Sequence, residues 1–343
     1  MCILRSSAVQ GAWGKERTMR RVMLLGVTLF LFFVFGTLVG CASSNSSMEP
    51  SEVAKAVTPE IDEASVREHL DHLTGEAPVS LEGGEKTTIS ERASETGRKA
   101  AAEYMEASFE EEGVPARTLE FPSGSDRGFN VEATLKGNEG GKHLWVTAHL
   151  DSVGNAGAND NASGLVLLLS SARALEGLDL EHTVHFVAYD LEEVGLIGSN
   201  RYVYTEVISV RDQEGEEAII GNINADMIGY EENESNAVIS KCQPTGALDE
   251  ALRRASRAIN HSIVLEDSCS ERIREDSDHA SFMDAGYPAV ALTDSAIFDG
   301  YPCYHKPCHT ADKVNVAYLR SMTQMVATAG ALLAVAETGQ GAS

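Results

Sequence analysis

The chain has 343 residues, of which 43 % are hydrophobic and 23 % charged, an ordinary balance for a globular protein of one large domain or two small ones. It carries 52 acidic against 27 basic residues, which gives a formal net charge of −25 at pH 7. Because such a surface repels nucleic acid and anionic lipid head groups, the composition argues against nucleic-acid binding, and we expect no nucleic-acid partner.

Residues 1–41 have the organisation of an export signal. Arg20 and Arg21 precede an apolar run from Val22 to Val39, and a small residue stands directly before Cys41. The end of this stretch resembles a bacterial lipobox, in which Cys41 would be lipidated and would tether the protein to the membrane. The alternative is a single transmembrane helix, since an apolar run of this length could just span a bilayer. Both interpretations place the domain outside the cytoplasm, and the first predicts a lipid anchor to the periplasmic or extracellular face of the cell envelope.

Residues 42–61 are rich in Ser, Asn, Glu and Pro and show no apolar period, which predicts a flexible tether. The remaining stretch, 62–343, shows no internal repeat, and no long insertion separates its motifs. We therefore predict a single domain there. We expect a monomer, because no separate lid or dimerisation domain is evident.

Within this stretch, apolar residues at helical spacing alternate with short apolar runs. The predicted helices are Ala64–Leu73, Glu91–Glu112, Gly164–Leu175 with Ser163 as its N-cap, Gly198–Thr205, Ala247–Asn260 and Val316–Glu337. The predicted strands are Phe129–Leu135, Lys142–His149, Thr183–Tyr189, Ile219–Asp226 and Val290–Thr293. This alternation predicts an α/β fold, a three-layer α/β/α domain with a central mixed, mostly parallel sheet.

Four cysteines fall within the predicted domain, where export would allow disulfides to persist. Cys303 and Cys308 are close enough in sequence to close a tight loop. Cys242 with Cys269 is a second possible pair, which follows from the even count alone.

Polar and acidic side chains gather directly after the predicted strands, where functional groups of α/β sheets collect. His149 and Asp226 each end a strand, and Asp160 lies where the next helix starts. Glu193 follows a third strand, and His305 lies in a late loop. Imidazole and carboxylate ligands suit zinc. Two zinc ions that share one carboxylate need roughly two further protein ligands each, and this set supplies them.

The order and spacing of six short motifs resemble the double-zinc aminopeptidases of peptidase family M28, which are related to aminopeptidase Y and glutamate carboxypeptidase. Each motif alone is weak evidence, but six in the family's order are strong. The resemblance covers about Gly141 to Lys313. The motifs are Ala148–Val153, Asn159–Gly164, Glu192–Ser199, Asp226–Gly229, Ser277–His279 and Cys303–His305.

The resemblance implies a dinuclear site with two zinc ions per chain. It assigns His149, Asp160 and Glu193 to one ion. It assigns Asp160, Asp226 and His305 to the other, so that Asp160 bridges the pair.

The resemblance also implies catalytic roles for residues beside these ligands. Glu192 would be the general base, taking a proton from zinc-bound water and passing it to the leaving amine. Tyr304 would donate a hydrogen bond to the developing oxyanion. Asp151, two residues after His149, is placed to orient that imidazole.

The last ligand has an open alternative. Many relatives carry an aspartate four residues after the final zinc histidine, where this chain has His309. Either His305 is the ligand and His309 replaces that acid, or the register slips and His309 binds zinc. We expect His305, because Tyr304 aligns with it. His279 is a further histidine in a family motif, which we expect to be structural or near the substrate.

The function that the resemblance implies is that of a metallo-exopeptidase removing N-terminal residues from peptides with a free N-terminus. One alternative is a glutaminyl cyclase-like acyltransferase on the same fold with one zinc, against which the complete ligand set argues. Another is a non-catalytic binding domain, which would typically lose ligands or the base. A lidded, dimeric two-metal exopeptidase would need a domain between Glu193 and Asp226, where the chain has no room for one.

Overall fold

The computed structural model describes residues 49–81, 84, 86–231, 236–242, 245–270, 275–296 and 300–335. All of them fall within one compact unit. The predicted export signal lies outside the described residues. Within the described ranges, no helix is both long and apolar enough to cross a membrane.

Helices and strands alternate through most of the chain. The helices are α1 Pro50–Val57, α2 Glu63–Leu73, α3 Glu95–Glu111, α4 Ser163–Leu175, α5 Ile197–Tyr202, α6 Ile208–Glu214, α7 Ala247–Ala258, α8 His279–Asp284 and α9 Val316–Ala334. The strands are β1 Val79–Ser80, β2 Lys86–Thr87, β3 Ala116–Ser123, β4 Asp126–Leu135, β5 His143–His149, β6 Thr183–Tyr189, β7 Ile219–Ala225, β8 Asn236–Ser240, β9 Val264–Ser268 and β10 Ala289–Asp294.

Eight strands form one mixed sheet in the order β3-β4-β6-β5-β7-β10-β8-β9. The four central strands β6, β5, β7 and β10 are parallel. In register, His149 lies beside Tyr189 of β6, and Leu292 of β10 lies beside Ala225 of β7. The carboxyl ends of these strands therefore meet at one edge of the sheet, and the predicted mixed, mostly parallel sheet is confirmed.

Apolar side chains fill both faces of the sheet and so define the three layers. On one face, a large cluster includes Leu165 and Leu168 of α4 and Met322 of α9, all fully buried. On the other face, Trp145 of β5 packs with buried residues of the α5 and α8 region, including Phe282. Burial of each such side chain stabilises the fold by about 1.5–3 kcal/mol. The packed layers therefore fix the position of the sheet edge on which the polar groups lie.

The predicted tether at 42–61 is wrong for its second half. Residues Pro50–Val57 form a helix, in which Val53 and Val57 are buried, and Ile61 is buried just beyond it. These three residues stand four apart, the spacing of one helical face, and α1 contacts α9. The surrounding Ser, Glu and Pro residues concealed this short apolar stripe.

Strands β3, β8 and β9 were not predicted from the sequence. β9 is the outermost strand on one side and exposes most of its side chains, and β3 is the outermost on the other and contains Pro122. Outermost strands carry little apolar alternation and tolerate proline, so their sequence signal is weak. Both possible disulfides are present, Cys242–Cys269 at the ends of β8 and β9 and Cys303–Cys308 in the loop after β10.

Candidate metal centre

The structure brings all five predicted ligands to the carboxyl edge of the central strands. His149 ends β5, Asp226 follows β7, and Asp160 lies in the turn that leads into α4. Glu193 lies in the turn after β6, and His305 lies in the loop after β10. Residues up to 156 positions apart in the chain thus come together because parallel strands end at the same edge.

One group of three consists of His149, Asp160 and Asp226, all buried, whose ligand atoms lie within 4.8 Å of one another. Nε2 of His149 is 3.0 Å from Oδ1 of Asp160 and 3.4 Å from Oδ1 of Asp226. One imidazole nitrogen and two carboxylate oxygens therefore face a common point.

A second group consists of Asp160, Glu193 and His305, again within 4.8 Å. Nε2 of His305 is 3.1 Å from Oδ2 of Asp160 and 3.3 Å from Oε2 of Glu193. The two oxygens of Asp160 therefore face different imidazoles. This arrangement is the one that a carboxylate bridging two metal ions requires.

These distances favour a division of ligands that differs from the one made from the sequence. Among the described residues, Asp226 groups with His149 and Glu193 groups with His305, whereas the sequence-based division exchanged these two acids. The shared position of Asp160 is unchanged. Spacing along the chain does not tell which way a carboxylate points after its strand ends, so the sequence could not decide between the two divisions.

Glu192 stands beside both groups, and with His149 and Glu193 it forms a third set of possible ligand atoms within 4.8 Å. Asp151 holds this segment: its Oδ1 accepts the backbone N–H of Glu192 at 3.0 Å and its Oδ2 that of Glu193 at 3.2 Å. Its Oδ1 lies 3.6 Å from Nδ1 of His149, beyond hydrogen-bond distance. In this structure Asp151 thus positions the Glu192 turn more directly than it orients the imidazole.

The ring of His309 contacts the backbone of the turn that carries Asp160. Its Nε2 accepts the backbone N–H groups of Asn159 at 2.9 Å and of Asp160 at 3.1 Å, and the side chain is fully buried. Burial lowers the pKa of His309 to about 4, so the ring is neutral and accepts through that nitrogen. His305 faces the carboxylates, and His309 faces backbone amides. This geometry favours the register in which His305 is the ligand.

The turn at Asp160 is also fixed from its helix side. Oδ1 of Asn161 accepts the N–H of Gly164 at 3.0 Å, while the hydroxyl of Ser163 donates to the carbonyl of Asn159 at 2.6 Å. Ser163 is therefore the first residue of α4 rather than its N-cap. The side chain of Asn161 instead accepts the backbone N–H of Gly164, one of the N–H groups at the helix start that have no partner within the helix.

Arg92 is a supporting residue that sequence reasoning missed. It is fully buried, and its guanidinium donates to four backbone carbonyls rather than to a carboxylate, those of Leu73, Leu150, Ala156 and Gly157. Three of these carbonyls lie between His149 and Asp160, so one cation clamps the loop that joins two ligands. An arginine that donates to backbone carbonyls needs no particular partner side chain, so no sequence motif indicates it.

Tyr304 stacks on the ring of His305, with ring centroids 3.8 Å apart, and is half-buried. Burial raises the pKa of Tyr304, and nearby carboxylates, Asp160 first, raise it further, so the phenol keeps its proton. His279 is fully buried at the start of α8 and belongs to none of the three ligand groups found among the described residues.

The charge balance of this edge fits divalent cations. Four carboxylates face two imidazoles, and within the described part of the chain Nδ1 of His149, Oε1 of Glu193 and Oδ1 of Asp226 are buried without a hydrogen-bond partner. Burial, and then neighbouring negative charge, raise the pKa of Glu192 and Glu193. Buried carboxylates in excess of their partners are what a metal ion compensates, and mixed imidazole and carboxylate donors suit zinc.

Curated relatives resemble the chain along much of its length. Leupeptin-inactivating enzyme 1 of Streptomyces exfoliatus is 29 % identical over 319 residues, which cover 87 % of this chain and 68 % of that enzyme. Aminopeptidase YwaD of Bacillus subtilis is 30 % identical over 191 residues, which cover 54 % of this chain and 40 % of YwaD. The chain thus spans less than half the length of the second relative.

Solved structures share the fold. The zinc aminopeptidase BSAP of Bacillus subtilis matches with a TM-score of 0.69 and 15 % identity over 82 % of this chain and 97 % of BSAP. The glutaminyl cyclase of Porphyromonas gingivalis matches with a TM-score of 0.58 and 17 % identity over 78 % of this chain and 96 % of that one. These likenesses confirm the predicted zinc aminopeptidase fold.

The family model described as peptidase family M28 matches residues 130–330, which is more than half of the chain. The matched range contains all five candidate ligands together with Glu192. The match confirms the family resemblance and the predicted class of enzyme, a metallo-exopeptidase. The chain belongs to peptidase family M28.

Proposed function

We propose that this protein is a zinc-dependent aminopeptidase that holds two zinc ions and hydrolyses N-terminal residues from peptides. The observation that carries the proposal is the position of Asp160, whose two oxygens face His149 and His305 separately, each within its own group of three ligand atoms. The names of the relatives, which include aminopeptidase YwaD and a zinc aminopeptidase of known structure, support the same activity.

The residues fit two ions with one shared ligand. His149 and Asp226 would hold one zinc, His305 and Glu193 the other, and Asp160 both. When bound, zinc supplies Lewis acidity and lowers the pKa of a water molecule to about 7.

Glu192 is the residue placed to move the proton. Its backbone is fixed by Asp151, and its carboxyl lies beside His149 and Glu193. Burial, reinforced by Asp278, raises its pKa, although His149 acts in the opposite direction. A carboxylate in this position can accept a proton from the attacking water and then donate it to the leaving amine.

Other side chains of this edge also act on the substrate. Tyr304, a protonated phenol beside His305, donates a hydrogen bond to the oxygen of the scissile carbonyl. The carboxylates of this edge give it the negative charge that attracts a substrate ammonium group. A free N-terminus is therefore part of the proposed specificity.

A direct test compares the wild type with Glu192→Gln on aminoacyl-nitroanilides, with chelator treatment and zinc add-back. We expect chelator-sensitive hydrolysis by the wild type, no cleavage of N-acetylated substrates, and a fall in kcat of about 10²–10⁴-fold for the variant. Glu217→Gln changes an exposed glutamate just before β7 and serves as the matched control. Full activity of Glu192→Gln with zinc bound would contradict the assignment of the base.

A glutaminyl cyclase-like acyltransferase is the second candidate, because the fold is shared with a structure of that name. The two groups of ligand atoms around Asp160 favour the hydrolase, since a cyclase with one zinc needs only one of them. A peptide with N-terminal glutamine separates the two reactions. The hydrolase releases free glutamine, whereas a cyclase leaves a pyroglutamyl peptide of the same length.

We also propose that the protein is exported and anchored through a lipid on Cys41. The support is the sequence of residues 1–41, which resembles an export signal ending in a lipobox. Cys41→Ser should move the protein from the membrane fraction to the soluble fraction of the cell envelope. An unchanged distribution would contradict the anchor.

A further inference from the structure

Two exposed valines flank the candidate centre. The described part of the chain has four large apolar side chains that are exposed, Val153, Val194, Tyr204 and Val264. Single exposed apolar residues are ordinary on a protein surface. Two of the four, however, stand next to or near candidate active-site residues in the chain, since Val153 lies two residues after Asp151 and Val194 one residue after Glu193.

Both valines stand on turns that are firmly held. Val194 is 64 % exposed in a tight turn in which the carbonyl of Glu192 accepts the N–H groups of Gly195 at 2.8 Å and Leu196 at 2.9 Å. Val153 follows Ser152, whose hydroxyl accepts the N–H of the buried Arg92 at 3.0 Å. An exposed valine on a rigid turn loses little entropy when a ligand covers it.

The two turns are fixed to each other. The carboxylate of Asp151 accepts the N–H groups of Glu192 and Glu193, so the loop after β5 and the loop after β6 cannot separate without breaking both bonds. The loops that carry Val153 and Val194 are therefore joined beside Glu192, and we call these two loops the rim of the centre.

The proposed chemistry decides which part of a peptide reaches this rim. Glu192 can protonate the leaving amine only if that nitrogen comes within about 2.6–3.2 Å of its carboxylate. The leaving nitrogen belongs to the second residue of the substrate. That residue must therefore pass the segment that carries Glu192 and Val194, whereas the first residue lies on the far side of the scissile bond.

We propose that Val153 and Val194 form an apolar subsite for the side chain of the second substrate residue, so that the enzyme favours peptides with an apolar residue there. This inference rests on the proposed aminopeptidase function. It concerns only the substrate residue that follows the scissile bond, and it does not depend on which N-terminal residue the enzyme prefers.

The test measures kcat/KM for Leu-Leu-amide, Leu-Ser-amide and leucinamide, which has no second residue. The wild type should favour Leu-Leu-amide over Leu-Ser-amide. Val194→Ser and Val153→Ser should each lower that ratio about fourfold, the effect of roughly one buried methylene group. Val264→Ser, a change at the 57 % exposed valine of the outermost strand β9, should leave the ratio as it is.

The outcomes separate the two levels of the proposal. A wild type that hydrolyses leucinamide but shows equal ratios in all four proteins would overturn the subsite and leave the aminopeptidase intact. A wild type without chelator-sensitive hydrolysis of any of the three amides would overturn both. Because both valines are exposed, the serine variants should fold normally, and their melting temperatures verify this.

Discussion

The two ends of the central strands each carry a cluster of histidines and carboxylates, yet the clusters differ in how their charges are matched. At the amino end, Nδ1 of His143 in β5 lies 2.9 Å from Nε2 of His185 in β6. At the carboxyl end, His149 of β5 faces the acids of the candidate metal centre. The same residue types on the same strands thus occupy two chemically different settings.

The cluster at the amino end is satisfied by protein groups alone. Glu132 accepts hydrogen bonds from His185, from the hydroxyl of Tyr202 at 2.6 Å and from Arg117 at 2.8 Å. His143 lies between His185 and Glu214, at 3.2 Å from the latter. Every charge there has a partner, so no further cation is needed.

The carboxyl end shows the opposite balance. Three buried polar atoms, on His149, Glu193 and Asp226, lack a hydrogen-bond partner among the described residues, and the acids outnumber the imidazoles. Unmatched buried charge costs free energy unless something compensates it. The comparison teaches that residue type alone does not separate the two clusters, whereas the balance of charge within each cluster does.

Loss of the shared ligand should have the largest effect. Asp160→Ala removes one oxygen from each group of three, so neither zinc ion would keep its full ligand set. We expect activity to fall by more than about 10³-fold and zinc binding to be lost. Kinetics with a nitroanilide substrate and metal analysis of the dialysed protein measure both.

The matched change at the other end of β5 is His143→Ala. It should leave zinc binding and activity within about twofold, since this cluster is predicted to hold no metal. A loss of zinc in His143→Ala comparable to that in Asp160→Ala would break the comparison between the two clusters.

Removal of the buried cation should come next. Arg92→Ala leaves four backbone carbonyls without their donor and is expected to lower the free energy of unfolding by about 3–5 kcal/mol. Arg92→Lys keeps a positive charge but not the planar fork, so its loss should be intermediate. Urea denaturation of the zinc-free proteins gives the values, and a stability equal to the wild type for Arg92→Ala would refute the clamp.

The amino-end cluster should add to the free energy of unfolding by an amount that falls at acid pH. Burial alone would raise the pKa of Glu132, but hydrogen bonds from His185, Tyr202 and Arg117 lower it from 4.5 to about 2. Because the folded-state pKa is the lower one, this stabilisation is present above pH 4.5 and is lost as the pH falls toward 2. It amounts to roughly 3 kcal/mol.

Urea denaturation of the zinc-free wild type and of Glu132→Gln at a series of pH values tests this. The difference in unfolding free energy should be largest near neutral pH and should shrink below pH 4.5. A difference that stays constant to pH 2.5 would show that the ionised carboxylate is not what stabilises the cluster.

The smallest expected effect concerns His309. His309→Ala removes the acceptor of two amides and should weaken zinc binding by about 10–100-fold without changing the number of ions bound at saturation. His309→Asp, which offers carboxylate oxygens in its place, should recover much of this loss. His305→Ala, by contrast, removes a ligand and should leave one tightly bound ion.

Chelator competition gives the affinities of these three variants. The reverse pattern, with an ion lost in His309→Ala and kept in His305→Ala, would favour the alternative register.

Much of the fold could be read from the sequence because its central elements are strongly apolar. Strand β6 has the predicted bounds, Thr183–Tyr189, and α9 begins at the predicted Val316. The outermost strands and α1 could not be read, because they bury one narrow stripe or none. Their positions depend on what they pack against, which the chain does not record locally.

The candidate site shows the same limit. Its residues could be found because each follows a strand end, but their pairing depends on backbone conformation after those ends. Leu191, Met227 and His305 all have positive φ, at 61°, 55° and 54°, in the left-handed region that such residues rarely adopt. These turns aim the neighbouring side chains, and neither propensity nor spacing predicts them.

Counting bound zinc tests the central claim most directly. The wild type and Asp160→Ala, each stripped with chelator, reloaded with excess zinc and dialysed, are analysed for metal per chain. A dinuclear centre organised around Asp160 predicts two ions in the wild type and none in the variant. One ion per wild-type chain, or two retained by Asp160→Ala, would contradict it.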